Sequence, residues 1–191
     1  MKTNHLVFTG LAVLSLFAVT AIAWPGRGEA QRPDVPVPPL VAAVRTATEP
    51  FKRVEVAKAA DYGLFHGCVS GPQGGAMGVH LVNGSLVGDG VLDPMRPEAL
   101  LYEVRNGQHE LLGVEYVVIA EAWHAHSEAP PVLMGQLFHY VGSPNRYGIP
   151  AFYELHVWAW RANPGGTFAD WNPTVSCDEF TADITSHEAH R

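Results

Sequence analysis

The dipeptide Asn106-Gly107 constrains the fold of this chain more than any other pair of residues. It stands between two apolar runs, Leu100 to Arg105 and Glu110 to Ala120. A two-residue loop of this kind takes positive φ and matches the right-handed twist of the strands it joins. The two runs are therefore predicted to form one antiparallel hairpin. Phe65 to Val69, Ala76 to Val82 and Ala151 to Trp160 also read as strands. Asn83-Gly84 reads as a tight turn. Val87 to Arg96 and Gly142 to Pro150 read as loops rich in Gly and Pro. Val132 to Val141 is ambiguous between a short helix and a strand.

Helical periodicity is confined to the stretch before Gly63. Leu40, Val41, Val44 and Ala47 recur at helical spacing after the N-terminal Pro39. Phe51, Val54, Val56, Ala57 and Ala60 mark a second helix, about Glu49 to Ala60, with Gly63 as a left-handed cap. No helix stands between the later strands, which excludes a doubly wound α/β fold. The expected class is α+β, with two N-terminal helices on a curved antiparallel sheet or small open barrel of five or six strands.

Residues 1–23 read as an export signal. Lys2 supplies the charged head, Leu6 to Val19 the apolar core, and Ala21-Ile22-Ala23 the cleavage pattern. The apolar run falls short of the roughly 20 residues that span a bilayer, so cleavage is expected rather than anchoring. Residues 24–38 then read as a Pro/Gly-rich linker, 39–177 as one domain and 178–191 as a polar tail. No later segment is apolar enough to span a membrane, so a soluble protein of the periplasm or the medium is expected. The formal net charge of −7 argues against nucleic acid or an anionic membrane as partner. The two cysteines, Cys68 and Cys177, read in an exported chain as one disulfide. It would tie the first strand to the C-terminal segment. The alternative is two separate buried thiols; a Cys-based metal or redox site lacks a CxxC.

Acids and histidines inside apolar strands are the informative positions. On Ala151 to Trp160 the alternation puts Phe152, Glu154, His156, Trp158 and Trp160 on one face. Glu115, Glu103, His80 and His139 likewise interrupt apolar runs. A buried, unpartnered acid is costly. The three acids (Glu103, Glu115, Glu154) and three imidazoles (His80, His139, His156) are therefore candidates to meet across strands. Convergence of His80, His156 and one or two carboxylates would suit a divalent transition metal, namely Zn, Cu, Mn or Fe. The plainer alternative, favoured by the lack of HxH or HExxH spacing among these residues, is acids solvated or paired with Arg105, Arg161 or a core histidine. Metal-free catalysis is the third.

His124-Ala125-His126 has i, i+2 spacing with Glu128 nearby, but its place before Pro130-Pro131 reads as a surface loop. Trp158, Trp160 and Trp171 are candidates for an aromatic platform stacking on a sugar or small apolar ligand; core packing is the preferred alternative. No nucleophile elbow, phosphate loop or dinucleotide glycine pattern is present.

Several segments together carry a resemblance: Gly75 to His80 (GAMGVH), Pro97 to Glu103 (PEALLYE), Gly113 to Tyr116 (GVEY), Leu155 to Trp158 (LHVW), then Asn163-Pro164, Trp171-Asn172-Pro173 and Cys177. Over roughly residues 40–177 the chain resembles a group of exported bacterial proteins to which no activity is attached. The resemblance implies an exported, single-domain bacterial protein and gives no residue a role. The leading expectation is an exported domain that binds a small ligand or metal ion. The alternatives are a metal-dependent enzyme of the envelope or medium using His80, Glu115 and His156, and a non-catalytic structural or interaction module. Oligomeric state is not encoded in any pattern here.

Overall fold

Leu40, Val41, Val44 and Thr48 line one side of helix α1, Pro39–Thr48, and all four are buried. Each apolar side chain removed from water in this way contributes about 1.5–3 kcal/mol. The computed structural model describes residues 36–71 and 74–181. The residues read as an export signal, nearly all of those read as a linker, and residues 182–191 of the expected tail lie outside the described residues. The expected second helix is interrupted. Glu49–Lys52 forms a 3₁₀ turn, and α2 covers only Val54–Ala59. Pro50 sets this break, since it follows directly on the last residues of α1. Gly63 is not the cap. Asp61 takes the left-handed conformation, with φ of 64°, and Gly63 opens the first strand.

Six strands form one antiparallel sheet curved into a half-barrel. They are β1 (Gly63–Gly71), β2 (Gly75–Val82), β3 (Ala99–Arg105), β4 (Gln108–Ile119), β7 (His139–Val141) and β8 (Phe152–Val157). The spatial order is β1-β2-β3-β4-β8-β7. Asn106 and Gly107 make the predicted hairpin turn, both with positive φ, and pair Arg105 with Gln108. The α+β class is as the sequence implies. Val79, Leu100, Tyr102, Val114, Tyr116 and Leu155 point to the helices and form the main core with Leu40 and Val44. The alternate residues point into the concave side.

Local readings of the sequence are corrected at four places. Asn83-Gly84 is not a hairpin turn; Asn83 caps a short helix, α3 (Gly84–Val87), its side chain accepting from the Ser85 and Leu86 N–H groups. Val132 to Val141 is neither one helix nor one strand. It divides into β5 (Val132–Leu133), β6 (Gln136–Leu137) and β7. Met134 and Gly135, both at positive φ, fold the first two into a small hairpin. Ala120–His124 leaves β4 as a helical turn, α4. The last strand stops at Val157, where the Ala159 N–H bonds back to the Val157 carbonyl at 2.9 Å. That tight turn breaks the alternation, and Trp160 swings to the helix side.

Cys68 on β1 and Cys177 are disulfide-bonded, 109 residues apart, with Cα atoms 5.7 Å from each other. Closing so long a loop stabilises the fold by on the order of 4–5 kcal/mol in the chain-entropy description. Among the described residues no helix is long and apolar enough to cross a membrane.

Candidate metal centre

The concave face collects the polar residues that interrupt the strands. Glu115 on β4 pairs with His156 on β8, and with Ala99 on β3. His80 on β2 pairs with Leu101, two residues along the same face. Strand curvature closes the gap over the small Ala99, and His80 Nε2 reaches 3.4 Å from a Glu115 carboxylate oxygen. The His80 and His156 rings meet edge to face with centroids 6.3 Å apart. His80, Glu115 and His156 are all buried, and each offers a ligand atom within 4.8 Å of the others. Two donors about 2.1 Å from one ion lie at most about 4.2 Å apart. Three donors sharing one ion at that distance stand about 3.4–3.6 Å apart, so the set has to contract for an ion to bind.

The groups facing the two imidazoles set their roles. His80 Nδ1 lies 3.1 Å from the Gly78 carbonyl. A carbonyl only accepts, so Nδ1 carries the proton and Nε2 holds the lone pair facing Glu115. Gly78 makes this possible through a φ of 96°, where a Cβ would fall 2.5 Å from the Tyr102 carbonyl oxygen. His156 Nδ1 faces the Asp170 carboxylate at 3.6 Å. The His156 side chain is fully buried, and neither ring nitrogen has a hydrogen-bond partner among the described residues. An imidazole backed by a carboxylate, with its other nitrogen free, is the usual outer arrangement of a metal-ligating histidine.

Burial and mutual charge set these groups against one another. Burial pushes His80 down to about 3, and His156 beside it adds to the fall. Burial pushes the Glu115 carboxyl up, opposed by His156 and reinforced by Glu154. Burial alone would lower His156, but Glu115, Asp170 and Glu154 together hold it up at about 9. The Asp170 carboxyl is held below its ordinary value by the His156 imidazole beside it.

A cavity of about 370 Å³ opens against this centre. His80 and Glu115 contribute to its wall, with Phe65, Val82, Val117, Ile119, Ile149 and Phe152 supplying apolar surface. Its size and composition suit a small, largely apolar molecule. Tyr147 closes one side; its carbonyl bonds His66 Nε2 at 2.8 Å and its hydroxyl meets Met77 Sδ at 3.6 Å.

The remaining sequence candidates divide. Glu154 and His139 face each other in register on β8 and β7 and form a second cluster with Asp170. Glu103 is not brought to either. It lies four residues along β3 from Ala99, roughly 13 Å away at the ordinary strand rise, and pairs with Arg161 Nη1 at 3.0 Å. The three tryptophans go to three places. Trp158 stacks on His156 and donates to the Ala169 carbonyl. Trp160 docks on α1 through a bond to Thr48 and lies under Lys52 Nζ, 3.7 Å from the ring centroid. Trp171 packs against Gly71 and Gly74. No shared platform results. His124 has both ring nitrogens engaged, with the Ser127 carbonyl and the Tyr153 hydroxyl.

Asp170 and Tyr147 carry no signal in the sequence, and Gly78 stands out there only as part of the Gly75 to His80 segment. Asp170 is placed by its neighbours: Asn172 bridges to Ala76 on β2, and Ala169 accepts from Trp158. The disulfide at Cys177 was the available hint, since it draws this segment back onto the sheet. Comparison with protein-family models, curated proteins and solved structures finds no match to this chain.

Proposed function

We propose that this protein is an exported domain that binds one divalent transition metal ion through His80, Glu115 and His156, and presents it to a small apolar molecule in the adjoining cavity. One observation carries the reading. His156 is fully buried with both ring nitrogens unpartnered among the described residues, beside the buried Glu115 carboxylate, which His80 faces with its Nε2 lone pair. Burying such groups without a compensating partner costs on the order of several kcal/mol. A metal ion would replace the proton that Glu115, Asp170 and Glu154 hold on His156, and would take a lone pair from each of the three groups. Two imidazoles and one carboxylate suit Zn, Mn, Fe or Cu, and leave coordination positions for water or a ligand. An exported, disulfide-bonded domain would acquire the ion outside the cytoplasm.

The test is metal content and thermal stability of untagged protein. About one ion or more per chain is expected, with a rise in melting temperature on adding the ion by mass action. His80→Ala and His156→Ala each remove the inner ion, while His187→Ala leaves it. Less than about 0.1 ion per chain, and no thermal shift with Zn, Cu, Mn or Fe, would sink the reading.

The raised Glu115 carboxyl favours a second reading. A protonated Glu115 can donate to His80 Nε2 without any ion, giving a metal-free acid–base pair on the cavity wall. A ligand that binds the cavity equally well with and without chelator would support it over the metal centre.

A further inference from the structure

We propose that His139, Glu154 and Asp170 hold a second divalent cation at the open side of the concave face, with Asp170 standing between the two centres. His139 and Glu154 are opposite each other in the β7–β8 register. His139 Nδ1 is 3.5 Å from Glu154 Oε1 and 3.4 Å from Asp170 Oδ2. The ligand atoms of the three residues lie within 4.8 Å of one another. They converge on a common point while standing too far apart for good hydrogen bonds.

A separate observation points to a missing ligand. Glu154 is only 4% exposed, and its Oε2 atom has no hydrogen-bond partner among the described residues. No lysine or arginine pairs with Glu154 or Asp170 among the described residues. A buried carboxylate oxygen with no hydrogen-bond donor is costly to keep, even with the His156 and His139 imidazoles nearby. A cation at this point would satisfy it. One imidazole with two carboxylates suits Zn, Mn or Fe(II) better than Ca or Mg, which take oxygen alone. The His139 side chain is 63% exposed, which gives an ion a way in.

Asp170 couples the two centres. Its Oδ2 faces His139, and its Oδ1 faces His156 Nδ1 at 3.6 Å. An ion on Oδ2 fixes the carboxylate and so holds the His156 ring in its ligating orientation. The outer site stands on its own residues; the coupling rests on the inner centre proposed above.

Equilibrium dialysis of metal-stripped, untagged protein against Zn²⁺, with the bound ion counted by mass spectrometry, tests the site. Wild type is expected to hold two ions per chain. His139→Ala and Glu154→Gln are each expected to hold one, with the remaining ion bound severalfold more weakly. His80→Ala is expected to keep only the outer ion. His139 is exposed, so its replacement leaves the core intact, and circular dichroism checks the fold of each variant. A single wild-type ion lost in His80→Ala and kept in both His139→Ala and Glu154→Gln overturns the outer site and leaves the inner one standing. A single ion lost in His139→Ala and kept in His80→Ala does the reverse. A second ion removed by His187→Ala but not by His139→Ala is adventitious, and also overturns the outer site.

Discussion

His80 on β2 and Glu115 on β4 meet at 3.4 Å across the full width of β3. In a flat sheet those two strands would lie about 9.6 Å apart. The half-barrel curvature and the small Ala99 between them allow the contact. The Gly78 carbonyl then orients His80 so that its lone pair faces the carboxylate. Replacing Gly78 by Ala strains the backbone at φ 96° and sets a methyl 2.5 Å from the Tyr102 carbonyl oxygen. A loss of about 1–3 kcal/mol in urea unfolding is expected, together with weaker metal binding. Gly107→Ala has the same backbone problem at φ 72° but nothing within 4 Å. It should cost about 1 kcal/mol and leave metal binding unchanged.

Glu98 gives a pH signature separate from the metal centre. It is 1% exposed and accepts the Val117 N–H at 3.0 Å. Burial pushes its carboxyl from 4.5 up to about 8. The folded state therefore keeps a proton that the unfolded chain gives up. The stability Glu98 contributes is complete below about pH 4.5 and is lost as pH rises through about 8. Between those values stability should fall by on the order of 1 kcal/mol per pH unit. Glu98→Gln keeps an acceptor for Val117 and should flatten that slope in denaturation curves at pH 5 to 8.

Glu103 separates a structural acid from a ligating one. It is buried against Arg161 Nη1 at 3.0 Å and accepts the Ser176 N–H at 2.9 Å. Arg161→Ala leaves a buried carboxylate with only the more distant Arg105, at 3.7 Å, and should destabilise by about 2–4 kcal/mol. Glu103→Gln should leave the number of bound ions unchanged. A loss of metal in Glu103→Gln would place the centre elsewhere on the sheet.

The Cys68–Cys177 bond joins β1 to the segment that carries Asp170. Thiol labelling of unfolded, unreduced protein should find no free cysteine. Reduction should lower the melting temperature, and by loosening residues 167–177 it should also weaken metal binding. Two labelled thiols in the unreduced chain would refute the bond.

The strands, the hairpin at Asn106-Gly107 and the cysteine pair were legible because each rests on a local pattern. Period-two alternation, a turn dipeptide and a cysteine count need no knowledge of distant contacts. Five of the six acids and histidines singled out fall in the two clusters for the same reason: a polar residue inside an apolar strand needs a partner. Glu103 shows the limit of that reasoning. Its pattern is the same as that of Glu115, and only the register of β3 and the reach of Arg161 assign it elsewhere. Trp158 and Trp160 do not share a face because a tight turn at Val157–Ala159 reverses Trp160. Asp170 was invisible because an irregular segment has no periodicity, and tertiary contacts through Asn172 place it.

Anomalous diffraction from crystals of the metal-loaded protein, recorded at the metal's absorption edge, tests the central claim most directly. A peak about 2.1 Å from His80 Nε2, a Glu115 oxygen and a His156 nitrogen is predicted. Well-ordered side chains at those three residues with no anomalous peak between them, from protein equilibrated with the ion, would contradict it.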